Sequence, residues 1–254
     1  MKRFILAFVA LLSWPYRLIP ASLRRRLVFG LALLDSRIDG PDDAMRRLFG
    51  LSDDIALLIN ERAMAHGGGE HPKHRLMRYH DFFVDRIPAG TQVLDIGCGY
   101  GAVARSIARR VDGVTVTGID MNPARIAEAE AADNPDNLCF VLGDALQDLP
   151  AGEWDTIVLS NVLEHIDARV EFLRRLATRL APRKILIRVP LFERDWQIAM
   201  RRELGVNYFS DPTHFIEHRP DEFAAEIQSA GLCVTEQLTL WGEIWAVCEI
   251  REPA

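Results

Sequence analysis

Hydrophobic residues follow two rhythms along this chain. From about residue 90 onward, short runs rich in Val, Ile and Leu alternate with longer segments whose apolar positions recur every three or four residues. The short runs, Val93 to Asp95, Val114 to Ile119, Leu138 to Leu142, Thr156 to Leu159 and Lys184 to Val189, predict five strands. Helices are predicted between them over Ala102 to Arg110, from Pro123 to Ala132 behind an Asn122 cap, and from Asp167 to Leu180, where Val170, Leu173, Leu176 and Leu180 share one face. Such alternation is the pattern of a parallel sheet, because each parallel neighbour needs a crossover. A helix from Pro220 to Ala230, stopped by Gly231, precedes a final strand pair, Leu232 to Leu240 and Ile244 to Ile250, around Trp241-Gly242.

The first part of the chain has neither rhythm. Phe4 to Leu12 is an unbroken apolar run of nine, followed by Trp14-Pro15-Tyr16 and by a second apolar stretch, Leu27 to Leu34. A bilayer span needs about 20 apolar residues, and Pro15 and Arg17 interrupt any extension of the run. Residues 1–34 also carry six basic side chains (Lys2, Arg3, Arg17, Arg24, Arg25, Arg26) and no acidic one. Three readings stay open for this piece: a peripheral membrane anchor, a helix packed on the protein's own body, and a cleaved signal. Pro41 to Met64 reads as two short helices, one of them capped by Ser52 or Asp53, and Gly67-Gly68-Gly69 then breaks the chain. The expected organisation is a basic, apolar segment over residues 1–40, a helical cap over 41–84 and a body over 85–254.

Charge and cysteine content narrow the classes. The formal net charge of −6 conceals an acidic body, since the residues beyond Leu34 include 24 basic and 36 acidic side chains. That balance argues against nucleic acid as a partner. Cys98, Cys139, Cys233 and Cys248 form no CxxC pair and fall in or beside predicted strands, so buried, reduced thiols and a cytoplasmic location are expected, at the inner face of the membrane if residues 1–34 bind it. Four of the seven histidines, His66, His71, His74 and His80, lie around His71-Pro72-Lys73-His74-Arg75-Leu76, ahead of a predicted helix at Tyr79 to Phe83. No carboxylate or cysteine pattern accompanies them, so a basic rim beside a cofactor or an anionic substrate competes here with ordinary solvated residues.

The candidate chemistry starts at Thr91-Gln-Val-Leu-Asp-Ile-Gly-Cys-Gly-Tyr-Gly101, a buried strand running through a glycine-rich turn into a helix. Glycines at 97, 99 and 101 let the backbone turn sharply and let a ligand lie against it. Gly97-x-Gly99-x-x-Ala102, with Asp120 downstream, also fits the loose dinucleotide fingerprint. Asp95 decides against it. A carboxylate two residues before the first glycine repels a pyrophosphate and suits a cationic, phosphate-free ligand. Asp95, Asp120, Asp144 and Asn161 all fall at strand ends along one edge of the sheet, where open α/β folds bind ligands.

These segments, taken in order, resemble the motifs of class I S-adenosylmethionine-dependent methyltransferases: Val-Leu-Asp95-Ile-Gly97-Cys-Gly99-Tyr-Gly101, Gly-Ile-Asp120-Met121, Gly143-Asp144-Ala145, and Asp155-Thr-Ile-Val-Leu-Ser-Asn161-Val-Leu-Glu164-His165-Ile. Asp211-Pro212-Thr213-His214, followed by Arg219-Pro220-Asp221-Glu222-Phe223, is similar to their C-terminal pattern. The resemblance covers roughly residues 85–254. It implies an α/β, Rossmann-like seven-stranded methyltransferase sheet flanked by helices, its last strand inserted antiparallel, here with an N-terminal helical extension. It also implies S-adenosylmethionine as cofactor. Asp95 and main-chain oxygen near Gly97 would then hold the methionine ammonium, and Asp120 both ribose hydroxyls. Asp144 would take the adenine amino group, with Met121 and Ala145 walling the ring. Gly97, Cys98, Gly99, Gly101 and Asn161 complete the expected cofactor contacts. Two positions depart from the family pattern: Ala181-Pro182-Arg183-Lys184 lacks the usual double glycine, and Arg219 stands where Thr or Ser commonly caps a helix.

Methyl transfer is an in-line displacement from the sulfonium, and a hydroxyl acceptor must also lose its proton. His165 and His214 are the candidate bases, and His218, next to the Pro220 helix start, is a weaker one. Some relatives of this fold hold a divalent ion through Glu-x-x-Glu-His; here that stretch is Asn161-Val-Leu-Glu164-His165. With one carboxylate replaced by an amide, Glu164 and His165 make a weak site unless His214 or Asp211 completes it, so transfer without a metal is expected. A greasy, basic N-terminus suggests an acceptor at a membrane. Similarity of the 71–76 element to methyltransferases of surface-glycan synthesis points to a sugar hydroxyl on a lipid-linked or surface glycan. An isoprenoid quinone or other lipid, a soluble small molecule, and a non-catalytic S-adenosylmethionine-binding protein are the alternatives.

Overall fold

The computed structural model describes residues 13–147 and 149–251, and the chain divides into two compact units, Met1–Ala65 and His66–Ala254. The apolar run Phe4 to Leu12 lies outside the described residues. The first unit contains α1 (Ala21–Asp35) and most of α2 (Pro41–His66). Arg47 of α2 clasps the turn between them, donating to Asp39 at 2.8 Å and to the Asp35 carbonyl at 2.9 Å. Where the sequence predicts two short helices after Pro41, there is one of 26 residues. Ser52 and Asp53, read as a cap, sit inside it, because helical backbone continues on both sides and caps act only where a helix is already free to end. The chain does break at the glycines, with Gly68 at φ 67° and Gly69 at φ 103°. The segment expected as one cap, residues 41–84, is thus divided between the two units.

In the second unit, α3 (Lys73–Met77) and α4 (Tyr79–Val84) lead into β1 (Gln92–Ile96), α5 (Ala102–Arg110), β2 (Thr115–Asp120), α6 (Pro123–Ala131), β3 (Leu138–Leu142), β4 (Thr156–Ser160), α7 (Arg169–Arg179) and β5 (Lys184–Pro190). After α8 (Trp196–Glu203) and α9 (Pro220–Ser229), β6 (Leu232–Leu240) and β7 (Glu243–Ile250) close the sheet. Seven strands lie in the order β3-β2-β1-β4-β5-β7-β6, with β1 to β5 parallel and β7 antiparallel between β5 and β6. The predicted sheet and its inserted last strand are both present. The order reverses between β1 and β4, and that crevice opens at the carboxyl ends of the strands.

Strand alternation sends side chains to two cores. Leu94, Ile96, Ile157, Leu159, Ile185 and Ile187 pack on one face with Phe172, Leu173 and Phe223. Val93, Val158 and Leu186 pack on the other with Phe82, Phe83, Ile107 and Trp245. The period of two also places Asp95, Ser160 and Arg188 on this second face, toward the ends of three adjacent strands.

Local chemistry explains the departures noted in the sequence. Ala181, in place of a glycine, is held at φ 42°, a left-handed conformation that costs an L-residue about 1–2 kcal/mol. Arg219 caps α9 through its main chain, whose N–H donates to Glu222 Oε2 at 3.3 Å, while its guanidinium bonds Glu193 at 2.6 Å. Helix α8 has no core-facing pattern in the sequence, since only Arg201 of its eight residues is buried. Its Asp195 cap, accepting from Gln197 N–H at 2.9 Å, was the available signal. All four cysteines are free; Cys98 and Cys248 are buried, and Cys139 is exposed.

Candidate functional site

The turn after β1 needs its glycines for three different reasons. Gly97, Gly99 and Gly101 have φ of 69°, 56° and 77°. A Cβ on Gly97 would lie 2.6 Å from Val162 Cγ2, and one on Gly101 2.4 Å from Phe140 Cζ. Gly99 meets nothing within 4 Å, so the space over it is open for a ligand. Gly97 and Cys98 N–H donate to the Ile119 carbonyl at 2.7 and 3.0 Å, tying the turn to β2. The Cys98 sulfur packs against Gly118, burial pushes its thiol pKa up, and its carbonyl accepts from Gly101 N–H at 2.9 Å. Cys98 therefore shapes the turn, and its carbonyl keeps a second lone pair.

The three aspartates differ in what already holds them. Asp120 Oδ2 accepts from Gly99 N–H at 2.9 Å and Oδ1 from Asn122 N–H at 2.8 Å, so β2 delivers a carboxylate fixed by main chain from both sides. Asp144 accepts from Leu146 N–H at 2.9 Å and from Gln147 at 3.0 Å, with Ala145 buried beside it and Met121 exposed at the end of β2. Asp95 is 1% exposed, and its Oδ2 has no partner. Burial pushes its pKa up to about 7, against a pull downward from the Ala104 N–H, and the Asp120 charge adds to the rise. A cation placed over Asp95 would relieve that cost.

The other half of the crevice is built from segments far apart in sequence. Asn161 follows β4 at φ 58°, a conformation Asn tolerates, and a 3₁₀ turn (Leu163–His165) then presents Glu164 and His165. Phe215 N–H donates to the Glu164 carbonyl at 2.9 Å, bringing in residues 211–217. The His165 and His214 rings meet edge to face with centroids 4.6 Å apart. Glu164, fully buried, has no hydrogen-bond partner on either carboxylate oxygen; His214 Nε2 stands 3.9 Å from Oε1. Burial pushes the Glu164 pKa up to about 7. Desolvation lowers that of His165, and the neighbouring His214 lowers it further. Glu164, His165 and His214 each offer a ligand atom, and these lie within 4.8 Å of one another. Of the two residues that could complete the site, His214 or Asp211, it is His214 that stands in this group, and Asn161 Oδ1 is a further buried oxygen without a partner.

Sequence reasoning missed the groups that brace this half. Glu217, buried, bonds Arg194 and accepts from Ser210 N–H at 2.5 Å, and His214 Nδ1 lies 3.4 Å from it. His218, fully buried, pairs with Glu226 at 2.9 Å, which Arg169 also holds. Against burial, these two partners bring the Glu226 pKa down to about 2. Arg188 was likewise unforeseen: it forks onto Glu243 with two bonds of 2.6 Å, reaches Ser160 Oγ at 3.2 Å and lies 3.8 Å over the Tyr79 ring. Tyr79 in turn bonds His74 at 2.5 Å, and His74 lies 3.3 Å from His80. Arg78 at φ 53° folds α3 back on α4 to allow this. Burial lowers the His80 pKa to about 4, and desolvation beside Arg188 lowers those of Lys73 and His74. The 71–80 segment is thus a ring cluster beside the Asp95 crevice.

Residues 69–237 match the family described as "Methyltransferase domain". Among curated relatives, the chain is 30% identical over 131 residues to 2-methyl-6-phytyl-1,4-hydroquinone methyltransferase of Synechocystis sp., covering 51% of this chain and 39% of that protein. It is 29% identical to the ubiquinone biosynthesis O-methyltransferase of Rhodopseudomonas palustris, over 59% of this chain and 61% of the relative. The same-named protein of Xylella fastidiosa is 30% identical over 70% of this chain and 76% of its own length. The chain therefore spans less than two thirds of the first two of these relatives. A solved structure of magnesium protoporphyrin IX methyltransferase from Synechocystis with bound SAH shares the fold, with TM-score 0.53, 18% identity, and coverage of 70% of this chain and 83% of that one.

Proposed function

The chain belongs to the methyltransferase-domain family, and on that premise we propose that it moves a methyl group from S-adenosylmethionine to a hydroxyl of a small, lipid-type acceptor of the quinone kind. S-adenosylmethionine is the methyl donor. The observation that carries the reading is the buried Asp95 carboxylate, one of its oxygens without a partner, beside an open glycine turn, with the paired histidines reached from the neighbouring strand β4. A cationic donor fits Asp95. Asp120, already fixed, has lone pairs left for ribose hydroxyls. With the sulfonium anchored, alignment of the acceptor oxygen, methyl carbon and sulfur supplies much of the rate.

The acceptor proton goes to His165, which is exposed, whereas His214 is buried between Glu164 and Glu217 and serves to hold the pair. A second route is favoured by one observation, the partnerless oxygens of Glu164. Glu164, His165 and His214, with Asn161 Oδ1, would hold a divalent ion, which supplies a lowered proton affinity at a bound hydroxyl. Chelation separates the two routes: turnover that survives it belongs to the base. Quinone-named relatives support the lipid-type acceptor, and the glycan hydroxyl expected from residues 71–76 has no support among them. The test offers the purified chain labelled S-adenosylmethionine with a prenylated hydroquinol and, separately, a lipid-linked glycan. Label in the quinol is expected; label in the glycan alone would overturn the acceptor class.

Association with the inner face of a membrane is part of the same proposal. No residue of α1 is buried; Leu27, Phe29, Leu31 and Leu34 are exposed, and Arg24, Arg25 and Arg26 lie on the same helix. Among the described residues no helix is long and apolar enough to cross a bilayer. Each basic side chain near an anionic surface contributes up to about 1 kcal/mol, and apolar burial adds to it. Co-sedimentation with anionic vesicles, lost when residues 1–34 are removed from a still-folded chain, is the expected result. Unchanged binding would end the membrane reading.

A further inference from the structure

Outside the cofactor cradle, His165 ends a chain of hydrogen bonds whose other two members, Thr213 and Asp211, the reaction as described does not use. His165 Nδ1 lies 2.8 Å from Thr213 Oγ1, and Thr213 Oγ1 donates to Asp211 Oδ1 at 2.6 Å. Asp211 Oδ1 also accepts from Thr213 N–H at 2.8 Å. Proton counting fixes the direction. Asp211 is an exposed carboxylate that takes both the Thr213 hydroxyl and the Thr213 main-chain N–H, so at neutral pH it is ionised and only accepts. A hydroxyl has one proton, and that of Thr213 is committed to Asp211. Toward His165, Thr213 can therefore only accept, so Nδ1 carries the hydrogen. In the neutral ring the lone pair then sits on Nε2 alone.

We propose that Asp211 and Thr213 are positioning residues for methyl transfer: they hold His165 in the Nδ1–H tautomer, so that Nε2 is the nitrogen offered to the acceptor. This rests on the reading of His165 as the base. The device differs from a direct carboxylate–histidine pair in having a hydroxyl between, which lets a carboxylate on an exposed loop set the tautomer of a residue 46 positions earlier without placing a second full charge against the ring. The loop is itself located by the Phe215 N–H bond to Glu164 O and by His214 N–H donating to Asp211 O at 3.2 Å. Ring orientation and tautomer are thus set by one loop.

Two arms test the proposal separately from the base reading. In the full-length protein with ¹⁵N-labelled histidine, the His165 resonances, identified by their loss in His165→Ala, should show a protonated Nδ1 and an unprotonated Nε2. Thr213→Val should mix the tautomers and Thr213→Ser should keep the Nδ1–H form. In turnover, Thr213→Val should lower kcat by roughly tenfold to a hundredfold with KM for S-adenosylmethionine held, because a wrong tautomer removes the base but not the pocket. Thr213→Ser should restore most of that loss. A wild-type ring protonated at Nε2, or equal rates in Thr213→Val and Thr213→Ser, would overturn the relay. Full activity in His165→Ala beside a confirmed Nδ1–H tautomer would instead sink the base reading.

Discussion

The two halves of the crevice hold their polar groups in opposite ways. On the β1–β2 side, main chain does the holding: Gly99 and Asn122 N–H fix Asp120, and Leu146 N–H fixes Asp144. Beyond β4, side chains hold one another across tens of residues, and several buried atoms are left without partners. The first arrangement is set by main-chain bonds that need no ligand. The second depends on where residues 211–217 settle against 161–165, and it concentrates groups whose proton affinities burial has moved, as acid–base work requires. Asp95 stands between the two: it belongs to the first half by sequence and to the second by its buried carboxylate, one oxygen of which has no partner and whose pKa burial raises.

The sharpest way to break this contrast is at His165. Replacement by Ala should lower kcat by roughly two orders of magnitude or more while S-adenosylmethionine affinity, measured by calorimetry, holds. A mutant that lost cofactor affinity equally would show that the halves are not separable. Next in size, Asp120→Ala removes a charged, two-pronged contact worth about 2 kcal/mol, so affinity should fall by tens of fold with the fold intact. Unchanged binding would remove Asp120 from the site.

A smaller effect should come from Asp95 and pH. In the proposed placement the donor's ammonium meets the ionised Asp95 carboxylate, whose pKa burial pushes up to about 7. Affinity should be flat above pH 7 and should fall by up to about tenfold per unit below it, as binding must expel a proton. Stability runs the other way. A carboxyl whose folded pKa is raised binds its proton more tightly in the folded state, so the free protein should lose stability as pH rises from the unfolded value of about 4 through 7, and ligand should restore it. Melting curves across that window, with and without S-adenosylmethionine, check both signs, and a flat free-protein profile would contradict the burial argument.

The smallest expected effect lies outside both halves, at Glu226. Its folded pKa of about 2 means that its contribution is complete above the unfolded carboxylate value and is lost as pH falls from about 4 to 2. Glu226→Gln should therefore destabilise by about 1–2 kcal/mol at neutral pH and leave the cofactor affinity alone. A loss of affinity there would tie α9 to the site.

Whatever short-range pattern carries could be read from the residues alone. Period-two and period-3.6 runs located the seven strands and most helices of the second unit, and the strand-end aspartates with Gly97, Gly99 and Gly101 marked the proposed cofactor cradle, because each contact there lies within or just beyond one βα unit. The uninterrupted helix Pro41–His66 escaped it, since Ser52 and Asp53 have cap chemistry wherever they occur and only the surrounding backbone decides whether a helix ends. Tertiary structure alone decided the acceptor half. His214 reaches Glu164, and Thr213 reaches His165, because Phe215 hydrogen-bonds to Glu164 across some 50 residues; no periodicity encodes that closure. It alone left Asp95 and Glu164 without full partners, for the pKa of a carboxylate follows from what surrounds it, and its neighbours here come from strands and loops that only the folded sheet brings together.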